Sequence, residues 1–320
     1  MKEILVIHTG GTISMVQDHE GHVGSSENHP LLDKVQSTDF TIREIELFSL
    51  PSPHITPNHM LKLAQFVESN IQETTRGVVI THGTDTLEET AYFLDLTLST
   101  SIPIVLTGAM RSSNDVGSDG LYNLLCSIQV ASYKKAGNHG VLIVFNDEIH
   151  TAKYVTKTST SNVSTFKSPP VGPIGFVNKK SINFYQLLTD EKEYYQPKQL
   201  TRNVFLIKAF TGMSPSILSC LCSQEVDGLV IEGFGQGNVP PDILPALKQL
   251  IDYGITIVLV TRCYQGRVQP TYNYKGGGKT LQDIGVIFAN HVNGPKARIK
   301  LMLLLEQGAT TYELEQAFCD

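Results

Sequence analysis

The sequence predicts an α/β protein: a larger N-terminal domain built on a mostly parallel sheet with helices on both faces, and a smaller C-terminal α/β domain. Three observations predict it. Short apolar runs such as Ile4-Leu5-Val6-Ile7 and Val78-Val79-Ile80 alternate with stripes at helical spacing, the pattern of strands joined by crossover helices. Several of these runs end abruptly in glycine and hydroxyl residues, as strands do where they meet a ligand crevice. A charged, proline-bearing stretch at 190–202 then divides the chain, leaving residues 1–189 as the N-terminal domain and 203–320 as the C-terminal domain.

The elements follow in order. The first strand stops in Thr9-Gly10-Gly11-Thr12. Two glycines there open backbone angles closed to other residues and let a ligand reach the main chain. Thr12 then presents a hydroxyl to a small molecule. Residues 14–30 are polar and read as a mobile flap over that crevice. Asp18-His19-Glu20-Gly21-His22 within it is a poor metal site, because no helical spacing holds the donors. Residues 41–48 alternate as a strand. Pro51 and Pro53 break regular structure, and Thr56-Pro57 opens a helix whose apolar face is Met60, Leu63, Ala64, Val67 and Ile71. Residues 77–81 form a second buried strand, ending in His82-Gly83-Thr84-Asp85-Thr86. A helix follows, with Thr84 or Asp85 as its expected cap and Glu88 and Glu89 in its positively polarised first turn. Further strands are expected at 103–107 and 140–145, with a helix through Leu121, Leu124, Leu125 and Ile128 between them.

Residues 150–175 read as a long irregular segment carrying Lys153, Lys157 and Lys167. Taken alone, each of these lysines reads as a solvated surface charge. Beyond the linker, strands are expected at 203–209, 228–232, 255–260 and 285–289. Residues 294–306 form an apolar helix with Arg298 and Lys300 on its outer face, and Thr310 with Glu313 forms a capping box for the last helix. Gly233-Phe234-Gly235-Gln236-Gly237-Asn238 lacks the dinucleotide fingerprint. Gly276-Gly277-Gly278-Lys279-Thr280 lacks the spacing of a phosphate loop.

Composition narrows the function. A net charge of −6 over 320 residues argues against a nucleic-acid or anionic-membrane partner. No apolar run reaches the ~20 residues of a membrane span, and no export signal precedes the first strand, so a cytoplasmic protein is expected. Five cysteines, an odd number without zinc spacing, read as reduced thiols. The strand-end residues Thr12, Thr84 and Asp85, with Lys157, supply a hydroxyl nucleophile, an amine base and a carboxylate to orient it. Glycine amides nearby supply oxyanion donors. The parts suit acyl transfer from a small amide or ester.

Thr9-Gly10-Gly11-Thr12-Ile13 together with His82-Gly83-Thr84-Asp85-Thr86 resembles the bacterial-type L-asparaginase family, of the cytoplasmic kind. Lys157, followed by Phe166-Lys167-Ser168-Pro169 and Gly172-Pro173, is similar to that family's lysine segment. Gly235-Gln236-Gly237-Asn238 is similar to its C-terminal glycine-asparagine loop. The resemblance runs along nearly the whole chain. It implies hydrolysis of L-asparagine to L-aspartate and ammonia through a covalent ester on Thr12. Thr84, Lys157 and Asp85 would form a second cluster, Asp85 also pairing with the substrate α-ammonium. Ser52 falls where the family binds the α-carboxylate, beside Pro53, and Gly11 and Gly83 line the same site. Asn238 resembles a residue that reaches a neighbouring protomer's site. The resemblance implies no metal or organic cofactor, and a homodimer or homotetramer.

Three departures stand out. Where many relatives carry a flap tyrosine, the nearest match is His22. Pro53 replaces a glutamine frequent in secreted relatives. No glutamate around 262–278 matches one lent across the interface in some relatives, a space where Tyr272 or Tyr274 lies. The last two leave selectivity between asparagine and glutamine open. Two other readings use the same pocket. One is an amidotransferase component, whose relatives carry an extra N-terminal domain while this chain begins at the catalytic strand. The other is an amino-acid sensor without turnover, for which loss of Thr12, Thr84, Asp85 or Lys157 would be expected.

Overall fold

Strand β1 (Glu3–His8) is the centre from which the first half is built. Ile4 through Ile7 have no exposed surface. A run of four consecutive buried apolar residues suits a parallel sheet covered on both faces. The computed structural model describes residues 2–17, 23–25, 39–169, 171–178, 181–187, 192–223 and 225–319. It divides into two compact units, Met1–Tyr194 and Tyr195–Asp320.

In the first unit β1 is followed by a small antiparallel pair, β2 (Met15–Gln17) with β3 (Val23–Ser25), and then by β4 (Thr41–Glu46). Helix α1 (Pro57–Asn70) starts at Thr56, whose side chain accepts from the His59 amide while the His59 ring accepts from the Thr56 amide. Pro57 sits in the first turn. This reciprocal cap fixes the helix start where the hydroxyl–proline pair predicts it. Strand β5 (Thr75–Thr81), α2 (Leu87–Thr97), β6 (Ile104–Thr107), α3 (Gly120–Ser132) and β7 (Val141–Phe145) continue the alternation. Asn146 and Asp147, both at positive φ, then make a two-residue turn into antiparallel β8 (Glu148–Thr151).

The segment at 150–175 is more regular than its sequence suggests. It contains a hairpin, β9 (Thr156–Lys157) with β10 (Phe166–Lys167), and leads into β11 (Gly175–Asn178) and β12 (Ser181–Phe184). Two-residue strands are too short for a periodic signal. The eight-stranded sheet has the order β12-β11-β8-β7-β6-β5-β1-β4, parallel from β7 through β4 and antiparallel at the other end. Ile4, Val6, Val79, Val105, Leu142 and Val144 pack with Leu124, Ile128 and Ala131 of α3. The alternate residues Leu5, Ile7, Val78, Ile80, Leu106 and Ile143 are equally buried, so the opposite face is covered too. The adjacency that matters is β1 beside β5, parallel, with Ile7 level with Ile80 and His8 level with Thr81. Their carboxyl ends therefore emerge together.

The second unit holds a four-stranded parallel sheet, β13 (Val204–Lys208), β14 (Gly228–Gly233), β15 (Thr256–Thr261) and β16 (Ile287–Phe288), in sequential order. Its helices are α4 (Ser216–Ser219), α5 (Leu244–Asp252), α6 (Gly278–Asp283), α7 (Gly294–Glu306) and α8 (Thr311–Phe318). Thr310 and Glu313 form the expected capping box. The expected outer face of α7 is corrected. Lys300 is 5% exposed; its ammonium donates to the Ala317 carbonyl and lies 5.2 Å from the Phe318 ring centre. Arg298 Nε donates to the Val204 carbonyl at 2.7 Å. Both cations donate to backbone carbonyls, which periodicity alone does not foresee.

Lys300→Ala removes a charged donor from the carbonyl at the end of α8, together with packed methylenes. It is expected to lower the unfolding free energy by about 2 kcal/mol in urea titration. An unchanged midpoint would mean that this ammonium contributes no more than a solvated one.

Candidate active site

The end of β1 is shaped by its glycines. Gly10 and Gly11 hold φ of +101° and +90°. A Cβ built on Gly11 would lie 2.4 Å from both Cα and N of Gly83, so the two main chains touch at this point. Only glycine satisfies both the positive φ and the approach. Each contacting glycine immediately precedes a threonine, Thr12 and Thr84. The loops after β1 and β5, far apart in the chain, are thus brought together by backbone contact.

Gly83 is in turn pressed against Ser52, whose Cβ and Oγ would both lie 2.7 Å from an added Cβ. Ser52 is buried and opens the short turn Ser52–His54, on which Pro53 is exposed. Its Oγ accepts from the Asp85 amide at 3.2 Å, and its carbonyl accepts from Thr86 Oγ1 at 2.9 Å. Thr86 is the residue capping α2, in place of the expected Thr84 or Asp85, and its hydroxyl goes to Ser52 instead of the helix. This leaves the side chains of Thr84 and Asp85 for another partner.

That partner is Lys157. Its Nζ donates to Thr84 Oγ1 at 2.9 Å and to Asp85 Oδ1 at 2.6 Å. The lysine side chain is 17% exposed and that of Asp85 is 59% exposed, so the pair stands at the rim of the site. The reading of Lys157 as a solvated surface charge is corrected by this contact. The main-chain N–H of Lys157 donates to Glu88 Oε2 at 2.7 Å. Glu88 is 8% exposed and was missed as a site residue, since its place in a first turn already had an explanation. The available signal was its position on the stripe Glu88, Ala91, Tyr92, Asp95, which faces inward at helical spacing.

Beneath these loops the polar groups are paired. Thr9 Oγ1 donates to the Thr81 carbonyl at 2.8 Å, His8 Nδ1 meets Thr81 Oγ1 at 2.8 Å, and Thr107 Oγ1 donates to the Val144 carbonyl at 2.8 Å. His82 lies between the Gly83 carbonyl at 2.8 Å and Thr90 Oγ1 at 2.9 Å. Burial lowers its pKa to about 4, partly opposed by the Gly83 carbonyl, so the ring is neutral and structural.

Of the expected site residues, Gly11, Ser52, Gly83, Thr84, Asp85 and Lys157 form one connected set, with Thr12 and Pro53 on the same loops. Asn238 belongs to the second unit. There its Oδ1 accepts from the Gly278 amide at 3.3 Å, and its amide closes a turn onto the Phe234 carbonyl at 2.9 Å. His22, and with it the 18–22 stretch weighed as a metal site, lies outside the described residues. Among the described residues no group of three or more His, Cys, Asp or Glu could hold a metal ion. Chemically the set offers hydroxyls, one amine held against a hydroxyl and a carboxylate, and backbone amides at the positive end of α2.

Residues 3–189 match the sequence model of the asparaginase N-terminal domain, and residues 203–318 that of the glutaminase/asparaginase C-terminal domain. The chain belongs to the asparaginase family. Among family relatives, a probable L-asparaginase of Deinococcus radiodurans is 37% identical over 321 residues, covering 99% of this chain and 97% of that protein. The crystal structure of a probable cytoplasmic L-asparaginase from Campylobacter jejuni superposes with a TM-score of 0.88 at 29% identity, covering 99% of both chains. A glutamyl-tRNA(Gln) amidotransferase component of Pyrococcus abyssi is 32% identical, covering 95% of this chain and 72% of that protein. The asparaginase fold of two α/β domains agrees with the fold class expected from sequence. Among the described residues no helix is long and apolar enough to cross a membrane.

His82 gives the site a pH signature. Its pKa is about 4 folded against 6.5 ordinarily, so below pH 6.5 the unfolded chain binds the extra proton first. This residue's contribution to stability is complete above that range and is lost as pH falls towards 4. His82→Asn is expected to flatten that part of the stability–pH curve, read by urea unfolding at stepped pH. Parallel curves for the two proteins would show a protonated ring in the fold.

Proposed function

We propose that this protein is an L-asparaginase, hydrolysing L-asparagine to L-aspartate and ammonia through a covalent threonine ester. The observation that carries the reading is the pair of contacts from Lys157 Nζ to Thr84 and Asp85, on a loop whose backbone meets that of the loop bearing Thr12. In this reading Thr12 Oγ attacks the side-chain amide carbon, and its proton passes to the departing nitrogen, which leaves as ammonia. Water then attacks the aspartyl ester and restores the hydroxyl. Lys157 polarises Thr84 or that water. Asp85 pairs with the substrate α-ammonium, Ser52 faces the α-carboxylate beside Pro53, and amides at Gly11 and Gly83 receive the oxyanion.

The reading includes a cytoplasmic enzyme that works without metal or organic cofactor. It assembles as a homodimer or homotetramer in which Asn238 reaches a neighbouring site, and His22 belongs to the flap. It divides the chain into a catalytic domain at 1–189, a linker at 190–202 and a C-terminal domain at 203–320. Selectivity between L-asparagine and L-glutamine stays open and is read from the substrate comparison below. The higher identity to the Deinococcus radiodurans protein, 37% against 32% for the Pyrococcus abyssi amidotransferase component, favours the asparaginase reading over the amidotransferase one.

Thr12→Ala is expected to lower ammonia release from L-asparagine by roughly a thousandfold or more. Lys157→Met is expected to lower kcat by about 10²–10⁴-fold. Both should leave the circular dichroism spectrum unchanged. Full turnover in Thr12→Ala would remove the nucleophile assignment. Rates on L-asparagine, L-glutamine and D-asparagine, compared side by side, test the substrate.

A further inference from the structure

Lys157 stands on a very short support. Strand β9 is two residues long and, among the described residues, pairs with β10 alone, Lys157 opposite Phe166 and Thr156 opposite Lys167. The next residue, Thr158, donates its N–H across the hairpin to the Thr165 carbonyl at 2.8 Å. Amides alternate sides along a strand, so the Lys157 N–H points away from β10. In a wider sheet it would meet another strand. Here it meets the carboxylate of Glu88 at 2.7 Å. A carboxylate accepting a backbone N–H is a charge-assisted hydrogen bond, stronger than a neutral one.

Glu88 lies three residues after Asp85, at the start of α2. The ammonium tip of Lys157 is held by Thr84 and Asp85, and its main chain is held by Glu88. Both ends of one side chain are therefore fixed to a single short segment, 84–88. The other edge of the hairpin is fixed independently. Phe166 packs on Phe145 with ring centres 5.0 Å apart, Ser168 Oγ meets His150 Nδ1 at 2.9 Å, and Lys167 pairs with Glu148 at 2.8 Å.

We propose that Glu88 is a positioning residue for catalysis: its carboxylate anchors the backbone of Lys157, setting the distance from the amine to Thr84. This deepens, and rests on, the asparaginase reading of the site. Glu88 touches no substrate in this role. Its loss changes the placement of the amine in the reacting complex, so kcat suffers and KM moves little.

The test uses the full-length protein with Glu88→Ala, Glu88→Gln and Glu88→Asp, assayed on L-asparagine, alongside hydrogen exchange of the Lys157 amide. Glu88→Ala is expected to lower kcat by about ten- to a hundredfold, as for a displaced catalytic group, with KM nearly unchanged and the Lys157 amide deprotected. Glu88→Gln keeps a carbonyl acceptor and should restore most of kcat and of the amide protection. Wild-type kcat in folded Glu88→Ala overturns the proposal. So does a Glu88→Gln protein as slow as Glu88→Ala with its amide still protected, because charge and not anchoring would then be at work. If Glu88→Ala does not fold, Glu88→Asp replaces it: its shortened side chain should lower kcat and amide protection together, and a loss of neither overturns the proposal. A wild-type protein inert on L-asparagine would sink the functional reading instead, and the exchange measurement would still report whether Glu88 anchors the strand.

Discussion

The contact between Gly11 and Gly83 is the constraint on which the site depends. Two main chains meet there at a distance that leaves no room for a Cβ on Gly11. The contact is possible because β1 and β5 are parallel neighbours in register, so their last residues stand at the same height. Each chain leaves the contact as a threonine, Thr12 or Thr84. Parallel order, glycine at positive φ and a following hydroxyl are thus three parts of one geometric condition. Relaxing any of them would part the backbones of the two loops that carry Thr12 and Thr84.

The layer beneath the loops shows how the protein keeps that condition rigid. Thr9, Thr81, Thr107, His8 and His82 are all buried, and each is hydrogen-bonded to main chain or to another of the group's neighbours. Buried polar groups without partners would cost about 1–3 kcal/mol apiece, whereas a satisfied set holds the strand ends in one arrangement. Burial also keeps His82 neutral, so this ring adds no titrating charge under the site near neutral pH. The charge that faces the site stands at the rim, on Lys157 and Asp85.

Most of the architecture was legible in the sequence, because apolar runs in a parallel sheet and amphipathic helices carry strong periodic signals. The start of α1 at Thr56-Pro57 and the box at Thr310 and Glu313 were legible for a local reason: a cap is written in adjacent residues. What escaped was set by long-range packing. The β9–β10 hairpin has too few residues for a pattern. Lys300 lies on a helix face whose burial depends on α8 folding back towards it. Glu88 offered an acidic residue in a first turn, an adequate local explanation that concealed its partner 69 positions away. Ser52, Thr84, Asp85 and Lys157 were expected together from the motifs, but the direction of their hydrogen bonds, and Thr86 as the residue capping α2, were properties of the folded loops.

The ion pair between Lys157 and Asp85 has a different standing from the contacts around it. Asp85 is more than half exposed, and such pairs contribute about 0–1 kcal/mol to stability. The pair therefore does little to hold the hairpin against the sheet. That task falls to the buried Phe166, the Ser168–His150 contact and the Glu88 carboxylate under the Lys157 amide. In the proposed reading, stability and chemistry are thus assigned to different groups. The anchors are buried, while the Asp85 carboxylate stands more than half exposed at the rim. A carboxylate committed to holding the fold together could not also be offered to an incoming α-ammonium. The exposure of Asp85 accordingly suits its proposed pairing with an α-ammonium, while the buried Glu88 accepts from the hairpin's main chain.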